Sequence, residues 1–463
     1  MAKNKKENAN TKVNEYGASM EKIVSLCKRR GFVYPSSEIY GGLSATWDYG
    51  PLGSELKNNI QKLWWNEMTR KHDNIVGLDA AIMMHPRTWE ASGHVENFSD
   101  PLVDCKQCKT RFREDKLEPE VLKSRICPEC GGELTEARQF NLMFSTQMGP
   151  VADSGSIIYL RPETAQGIFV NFKNVVDTSR VTIPFGIAQV GKAFRNEITT
   201  KNFIFRTCEF EQMEMQFFVK PGDEDEWFEY WKKTRMAYYD KMGINSAKLR
   251  FHQHGEGELA HYAKDAYDIE YEYPFGWEEL EGIHSRTDFD LGRHSEYCGK
   301  EINYLDPQTN ERYIPYVIET SAGLTRSVLI ALMDAYHEEN LGTDSKGNED
   351  VRTVLHFHPN VAPVTVAVLP LVKKDGLAEL AKDIQDELRD DFTTFYDKSG
   401  AIGRRYRRQD EIGTPFCITV DYESKDNNDV TLRFRDSMEQ IRVPRAELSE
   451  RIRKEIKNYR RPE

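Results

Sequence analysis

Apolar positions recur at helical spacing near the start of the chain. Met20, Ile23, Val24 and Cys27 share one face of a predicted helix over Glu15–Arg30, stopped by Gly31. Leu56, Ile60, Leu63 and Trp64 repeat the pattern and predict a second helix over Ser54–Arg70. The Gly-, Pro- and Tyr-rich stretch Phe32–Gly53 between them reads as turns and short strands. From Ser156 to Val219 strand patterns dominate, at Ile157–Leu160, Val181–Val190, Phe203–Phe205 and Met213–Val219. A Trp- and Tyr-rich helix follows over Pro221–Met242, then a strand over Ala266–Tyr273 ahead of the Gly276–Leu291 stretch. Tyr313–Glu319 predicts a strand and Leu324–His337 an apolar helix. Strand runs packed with helices, without strict alternation, predict an α+β antiparallel sheet with flanking helices. Residues 342–362 read as a linker. Beyond them, strands at Val364–Leu369, Phe416–Val420 and Val430–Phe434 and helices at Leu377–Arg389 and Ala446–Tyr459 predict a separate α/β domain of about 100 residues.

With 463 residues, 39% of them hydrophobic, the chain can bury a large core. Disorder is expected only at the charged start, residues 1–10. No apolar run approaches the roughly 18 residues that span a bilayer, and no secretion signal is visible, so no membrane and a cytoplasmic location are expected. The net charge of −12 argues against a purely electrostatic nucleic-acid binder. The deficit lies outside residues 363–463, which hold 20 Lys and Arg against 20 Asp and Glu. Basic runs there, Gly403–Arg408 and Arg451–Arg461, fit either a solvated helix face or a surface for RNA phosphates.

Three segments carry chemistry. Cys105 and Cys108 form one CxxC knuckle, and Cys127 and Cys130 form another after eighteen residues. Paired knuckles at this separation are a zinc-ribbon pattern. Four thiolates leave no open position for water, so zinc there would be structural, within an insert over 100–138. In the second segment, Arg195 and Glu197 sit two apart on a predicted strand, which would point both to one face. A guanidinium there can grip a phosphate and a carbonyl oxygen as a bidentate donor, although salt-bridge ladders on hairpins look the same. The third is Glu319-Thr-Ser321-Ala-Gly323-Leu-Thr-Arg326, where Gly323 permits close backbone approach. Arg326 in the first helical turn adds its charge to free amides, which suits a phosphate.

Together these segments resemble class II aminoacyl-tRNA synthetases in their glycyl, bacterial homodimeric form. Residues 32–65, from Phe-Val-Tyr-Pro through Trp-Asp-Tyr-Gly-Pro-Leu-Gly to Trp-Trp, resemble motif 1. Residues 191–218 resemble motif 2, and 313–337 motif 3. Arg161-Pro-Glu163-Thr-Ala-Gln-Gly167 is similar to the amino-acid-binding segment, and Trp277–Leu291 to the ATP-binding segment. The match covers nearly the whole chain in the right order. It implies a class II catalytic domain over 11–350, carrying the four-cysteine insert, and an anticodon-binding domain over 363–463.

The resemblance implies roles residue by residue. Arg195, Glu197 and Arg326 would be catalytic. Arg195 would hold the α-phosphate and the amino-acid carboxylate, and Asn196, Glu197 and nearby backbone would read adenine. Phe210 and Arg326 would sandwich adenine, while Arg206 and Arg326 hold the outer phosphates. Phe205, Leu280 and Gly323 complete the ATP site. Glu279 would carry magnesium bound to ATP, and Arg286 would add positive charge near the phosphates. Glu163, Glu214 and Glu319 would grasp the glycine ammonium, with Ser321 flooring the pocket and Phe210, Glu211 and Gly323 around it. Carboxylates so close raise one another's pKa until the ammonium arrives. Cys208 departs from the basic residue expected there, and reads as a small buried hydrophobe. The strand stretch Thr431–Arg442, with Arg433, Arg435 and Asp436, would face RNA.

The implied activity is glycine–tRNA ligation in translation, with ATP, magnesium, glycine and tRNA(Gly) as partners and a symmetric homodimer as the working form. The apolar face with Leu63, Trp64 and Trp65 fits such an interface. A class II synthetase for another small amino acid is the alternative enzyme. A synthetase-like accessory subunit is the non-catalytic alternative, weakened by the presence of Arg195, Arg206 and Arg326.

Overall fold

The computed structural model describes residues 18–150, 156–198, 202–255, 257, 259–260, 262–343 and 347–461. The charged start at 1–10 lies outside the described residues. A seven-stranded sheet organises the larger part of the chain. Its strands are β1 (Ile75–Gly77), β2 (Phe185–Phe194), β3 (Glu209–Val219), β4 (Leu249–Gln253), β5 (Asp265–Tyr273), β6 (Gly276–Thr287) and β7 (Tyr316–Gly323). They lie in the order β4-β5-β6-β7-β3-β2-β1. Every neighbouring pair is antiparallel except β2 and β1. The expected antiparallel α+β architecture is therefore present. Phe203–Phe205 is a 3-10 turn instead of a strand, because Asn202 and Phe203 adopt left-handed backbone conformations that break extension.

The main core lies under this sheet. Among helices α1 (Met20–Arg30), α2 (Pro51–Thr69), α3 (Glu224–Met242) and α4 (Leu324–Ala335), α4 is buried at every position except Arg326, which explains its apolar run Val328–Met333. Helix α2 packs on α4 and buries Leu56, Ile60, Trp64 and Met68. A Cβ at Gly53 would lie 1.8 Å from the Phe32 carbonyl oxygen, so only glycine lets α2 meet the incoming chain. Trp64 is fully buried, and Leu63 and Trp65 pack on the same core. Of the face expected at a dimer interface, Trp64 is enclosed within the chain, while Leu63 and Trp65 keep part of their surface open. On α1 the buried face is Ile23, Leu26 and Cys27, and Val24 points outward.

The insert is a three-stranded antiparallel sheet, with Ser99–Asp104 between Arg111–Arg113 and Arg138–Asn141. The stretch expected to be a linker instead contains a hairpin, Tyr336–Thr343 paired with Glu349–Leu355. It leads to a five-stranded mixed sheet in the order Thr394–Tyr396, Val366–Pro370, Phe416–Val420, Asp429–Phe434, Gln440–Pro444. The first three strands are parallel and the last two antiparallel, with helices at Leu377–Leu388, Ile402–Ile412 and Leu448–Asn458.

Buried arginines knit the hairpin to this second sheet. Asp410 receives Arg352 at 2.9 Å and a bidentate Arg433 at 2.8 and 3.0 Å. Arg435 donates to the Gly413 and Phe357 carbonyls, and Arg405 to the Pro370 and Asp397 carbonyls. Arg405, Arg433 and Arg435 are therefore not RNA-facing, contrary to the reading of this basic sequence. The strand carrying Arg433 aims it at helix Ile402–Ile412, where Asp410 compensates the cost of burying its charge.

Candidate active site

Two central strands build a polar floor. On β3 and β7, Gln212 lies opposite Gly323, Glu214 opposite Ser321 and Gln216 opposite Glu319. Alternate residues of a strand share a face, so these six groups line one side of the sheet. Strand β6 adds His284 opposite Glu319, and β2 adds Gln189 opposite Glu214. A Cβ at Gly191, opposite Gln212, would sit 2.2 Å from an Arg161 guanidinium nitrogen. Glycine at that position leaves room for Arg161 to bond the Lys192 and Ala80 carbonyls, which fixes the segment leading to Glu163.

One cavity above the floor is lined by Arg195, Glu197, Phe205, Arg206, Phe210, Glu211, Glu279, Ser321, Gly323 and Arg326, all singled out in the sequence. Thr207, Gln212 and Thr325 join them. Arg195 and Glu197 do not share a strand face, because β2 ends at Phe194. The Glu197 amide turns back onto the Arg195 carbonyl at 2.7 Å, so the chain is a tight turn there. The Arg195 guanidinium carbon lies 5.3 Å from the Phe98 ring centre and 5.2 Å from that of Phe210, with Nε donating to the Pro162 carbonyl at 3.1 Å. Arg326 stacks on Phe205 at 4.6 Å and donates to the Glu279 carbonyl at 2.8 Å, with Glu279 Oε2 at 3.1 Å. Phe210 thus carries Arg195 on its ring, and Arg326 carries Phe205, in place of a ready-made Phe210–Arg326 sandwich. The Asn196 amide donates to the Leu142 carbonyl, tying this turn to the far end of the insert. Leu280 points into the core, not the cavity. It is the extra residue of a bulge between β5 and β6, beside Glu281, which Arg235 holds from α3.

The three glutamates gather in a network beside the cavity. Glu319 is buried and saturated: His284 Nδ1 lies at 2.6 Å, Arg286 Nη1 at 2.9 Å and Gln216 Nε2 at 2.6 Å. Burial opposes its ionisation, but the Arg286 charge and the His284 bond outweigh this and hold it well below the usual carboxylate range. Glu163 has Gln166 Nε2 at 3.1 Å and His94 Nε2 at 3.3 Å. Glu214 accepts from the Thr164 hydroxyl and, at 2.8 Å, from Gln216, both neutral donors. Burial first, then the charges of Glu319 and Glu163, push its carboxyl well above the usual range. The expectation of one raised carboxylate pKa falls on Glu214.

Arg286 stands elsewhere than expected. Its guanidinium is buried and committed to Glu319 and, through two bonds of 2.8 and 3.0 Å, to Asp290. It belongs to the carboxylate network and does not line the cavity of Arg195 and Arg326. The Gln212–Glu214–Gln216 alternation was legible as a polar strand face. Thr164 and Gln166 lie within the Arg161–Gly167 segment, and His284 and Asp290 within Trp277–Leu291, without a role assigned to them there; His94 lies outside every segment singled out, and only the fold brings it to Glu163.

The insert's four cysteine Sγ atoms lie within 4.8 Å of one another, with Cys105–Cys130 at 3.5 Å and Cys108–Cys127 at 3.8 Å. A tetrahedral zinc with Zn–S near 2.3 Å needs S–S separations of about 3.8 Å, so the donors fit such an ion. Glu279 presents a half-exposed carboxylate to the cavity, kept ionised by Arg326, which fits an oxygen-seeking magnesium ion.

The class II tRNA synthetase core domain described for G, H, P, S and T matches residues 150–336, and an anticodon-binding domain matches 365–455. The glycine–tRNA ligase of Treponema denticola is 70% identical over 450 residues, 97% of this chain and all of the relative. That of Treponema pallidum is 60% identical over 96% of this chain and all of the relative, and that of Borrelia hermsii 58% over 95% and 98%. Such identity along the whole chain, on a fold that gathers the class II segments around one cavity, establishes that the chain belongs to the glycine–tRNA ligase family.

Proposed function

We propose that the chain activates glycine with ATP and transfers the glycyl group to the 3′ end of tRNA(Gly), working as a cytoplasmic homodimer. The reading rests on one observation above all: the Glu214–Ser321 floor abuts a cavity flanked by Arg195, Arg206 and Arg326. Glycine offers no side chain to read. A site can select it only by binding the ammonium and filling the space beyond Cα. Glu214 supplies the charge, Glu163 and Glu319 add to it, and Ser321 and Gln212 occupy the floor.

In the first step the glycine carboxylate attacks the α-phosphorus of ATP and pyrophosphate leaves. Arg195 bridges the two reactants, and Arg206 and Arg326 balance the outer phosphates. Catalysis by position and charge of this kind needs no protein base. Magnesium bound with ATP at Glu279 would neutralise phosphate charge. The terminal ribose hydroxyl of tRNA then attacks the adenylate. Pyrophosphate exchange is the test: glycine should support it at least ~100-fold better than alanine, serine or threonine. Faster exchange with any of those would overturn the reading.

Zinc held by Cys105, Cys108, Cys127 and Cys130 would brace the insert. The second copy is supported by Ile39, Tyr40 and Leu43, three apolar side chains close in sequence that stand 87, 86 and 64% exposed. Native mass spectrometry of protein purified without chelator should therefore give two chains carrying two zinc ions. Chelation should loosen the insert and leave ATP binding intact. A metal-free monomer at micromolar concentration would remove both assignments.

A further inference from the structure

The short helix His94–Asn97 follows the left-handed Gly93 and runs straight into the first strand of the insert. It brings one imidazole to the edge of the carboxylate network. We propose that His94 is a positioning residue of the amino-acid pocket, which orients Glu163 toward the incoming ammonium and keeps it from turning away to solvent. The proposal deepens the assignment of Glu163 to glycine binding and rests on it.

Four observations carry it. His94 Nε2 lies 3.3 Å from Glu163 Oε2, while Gln166 takes the other oxygen at 3.1 Å, so the carboxylate is held from both sides. The ring is itself fixed: Trp89 and Phe98 lie against it with centroids at 5.5 and 5.4 Å. Ser92 Oγ sits 2.8 Å from Nδ1 and 3.3 Å from the Trp89 carbonyl. With neutral imidazole the hydroxyl donates to Nδ1. With imidazolium it accepts from Nδ1–H and donates to the carbonyl. The Glu163 carboxylate 3.3 Å away favours the tautomer that keeps the Nε2 proton on its side. Finally, the insert's return strand clasps this segment, with Leu142 N donating to the Phe98 carbonyl at 3.0 Å and Asn141 Nδ2 to that of Val95 at 3.2 Å. Phe98 also stacks on Arg195, so one segment aligns the ammonium-binding acid and the guanidinium assigned to the carboxylate.

The electrostatics agree in direction. Burial raises the Glu163 pKa, and the charge and bond of His94 together with Arg286 bring it down to about 2 against the repulsion of Glu319. The other charged or titratable groups acting there are Glu214 and Tyr262. Without the ring, the His94 contributions that lower the pKa are lost and only that of Arg286 is left against burial and Glu319, so Glu163 protonates at higher pH.

The test is pyrophosphate exchange by the full-length enzyme with glycine and ATP varied separately. His94→Leu should raise the glycine KM about tenfold with the ATP KM within twofold of the parent, and the increase should steepen as pH falls toward 6. His94→Gln, whose amide can donate from nearly the Nε2 position, should recover most of the loss. Glu163→Gln should raise the glycine KM at least as much, and His94→Leu added to it should cost nothing further, because the two share one interaction. Multiplying effects in the double variant, an equal rise in the ATP KM, or no recovery with His94→Gln would overturn the proposal. If Glu163→Gln alone binds glycine like the parent, the assignment of Glu163 fails instead, and the two failures are distinct.

Discussion

Glu214→Gln is expected to cost ~2–4 kcal/mol of transition-state stabilisation for glycine, on the order of 30- to 1000-fold in kcat/KM for pyrophosphate exchange. The three acids of the pocket are not equivalent. Glu319 is neutralised by Arg286 and His284, and Glu163 has His94 Nε2 at 3.3 Å. Glu214 has only the Thr164 hydroxyl and the Gln216 amide, so it is the carboxylate whose charge awaits a cation. Glutamine keeps the volume and the neutral hydrogen bonds but offers no charge to a desolvated ammonium.

The same substitution should raise the melting temperature of the empty enzyme. The folded state raises the pKa of Glu214, so its contribution to stability is complete below the unfolded-state value and is lost as pH rises through the folded one. The variant lacks that loss, and its advantage in melting temperature should widen from pH 5 to pH 8. In the parent, glycine binding should release a proton from Glu214, measurable by calorimetry in buffers of different ionisation enthalpy. Unchanged glycine kinetics in the variant would show that Glu214 does not hold the ammonium.

Arg195→Ala is expected to lower kcat for exchange by about 10²–10³, the range seen when one preorganised donor to developing charge is removed. The guanidinium is set before substrate arrives, stacked between Phe98 and Phe210 with Nε bound to the Pro162 carbonyl. In the proposed reading its outer nitrogens would serve the glycine carboxylate and the α-phosphate. Arg195→Lys keeps the charge but has neither the planar fork nor the stacking, so it should recover only a minor part of the loss. A lysine variant with parental kcat would mean that net charge alone matters at this position. Arg326 offers a contrast, since it already pairs with Glu279 and its loss should appear mainly in the ATP KM.

The sequence by itself determined the sheet class, the buried helix after Gly323, the two knuckles of the insert and most of the cavity lining. These features are local. A strand face is written in a period of two, a buried helix in an apolar run such as Val328–Met333, and a metal knuckle in four consecutive residues. Motif resemblance then ordered Arg195, Phe210, Glu214, Ser321 and Arg326 around one site, and the register of β3 against β7 brought Glu214 opposite Ser321.

Tertiary structure alone decided where charges went. Arg286, Arg433 and Arg435 look like phosphate ligands in a linear reading, yet each is buried against a carboxylate. Arg286 and Arg435 take a carboxylate close by in sequence but owe their burial to the segments packed over them, and Arg433 takes its carboxylate from far away. Asp410 lies 23 residues from Arg433 and 58 from Arg352, and it draws both into the interior. The hairpin over residues 336–355 was hidden because its strands are polar on the outside and its buried side faces a domain that follows it. The ranking of the three glutamates was equally invisible. Which carboxylate stays uncompensated depends on where His94, His284 and Arg286 converge, and only the folded chain brings those three together.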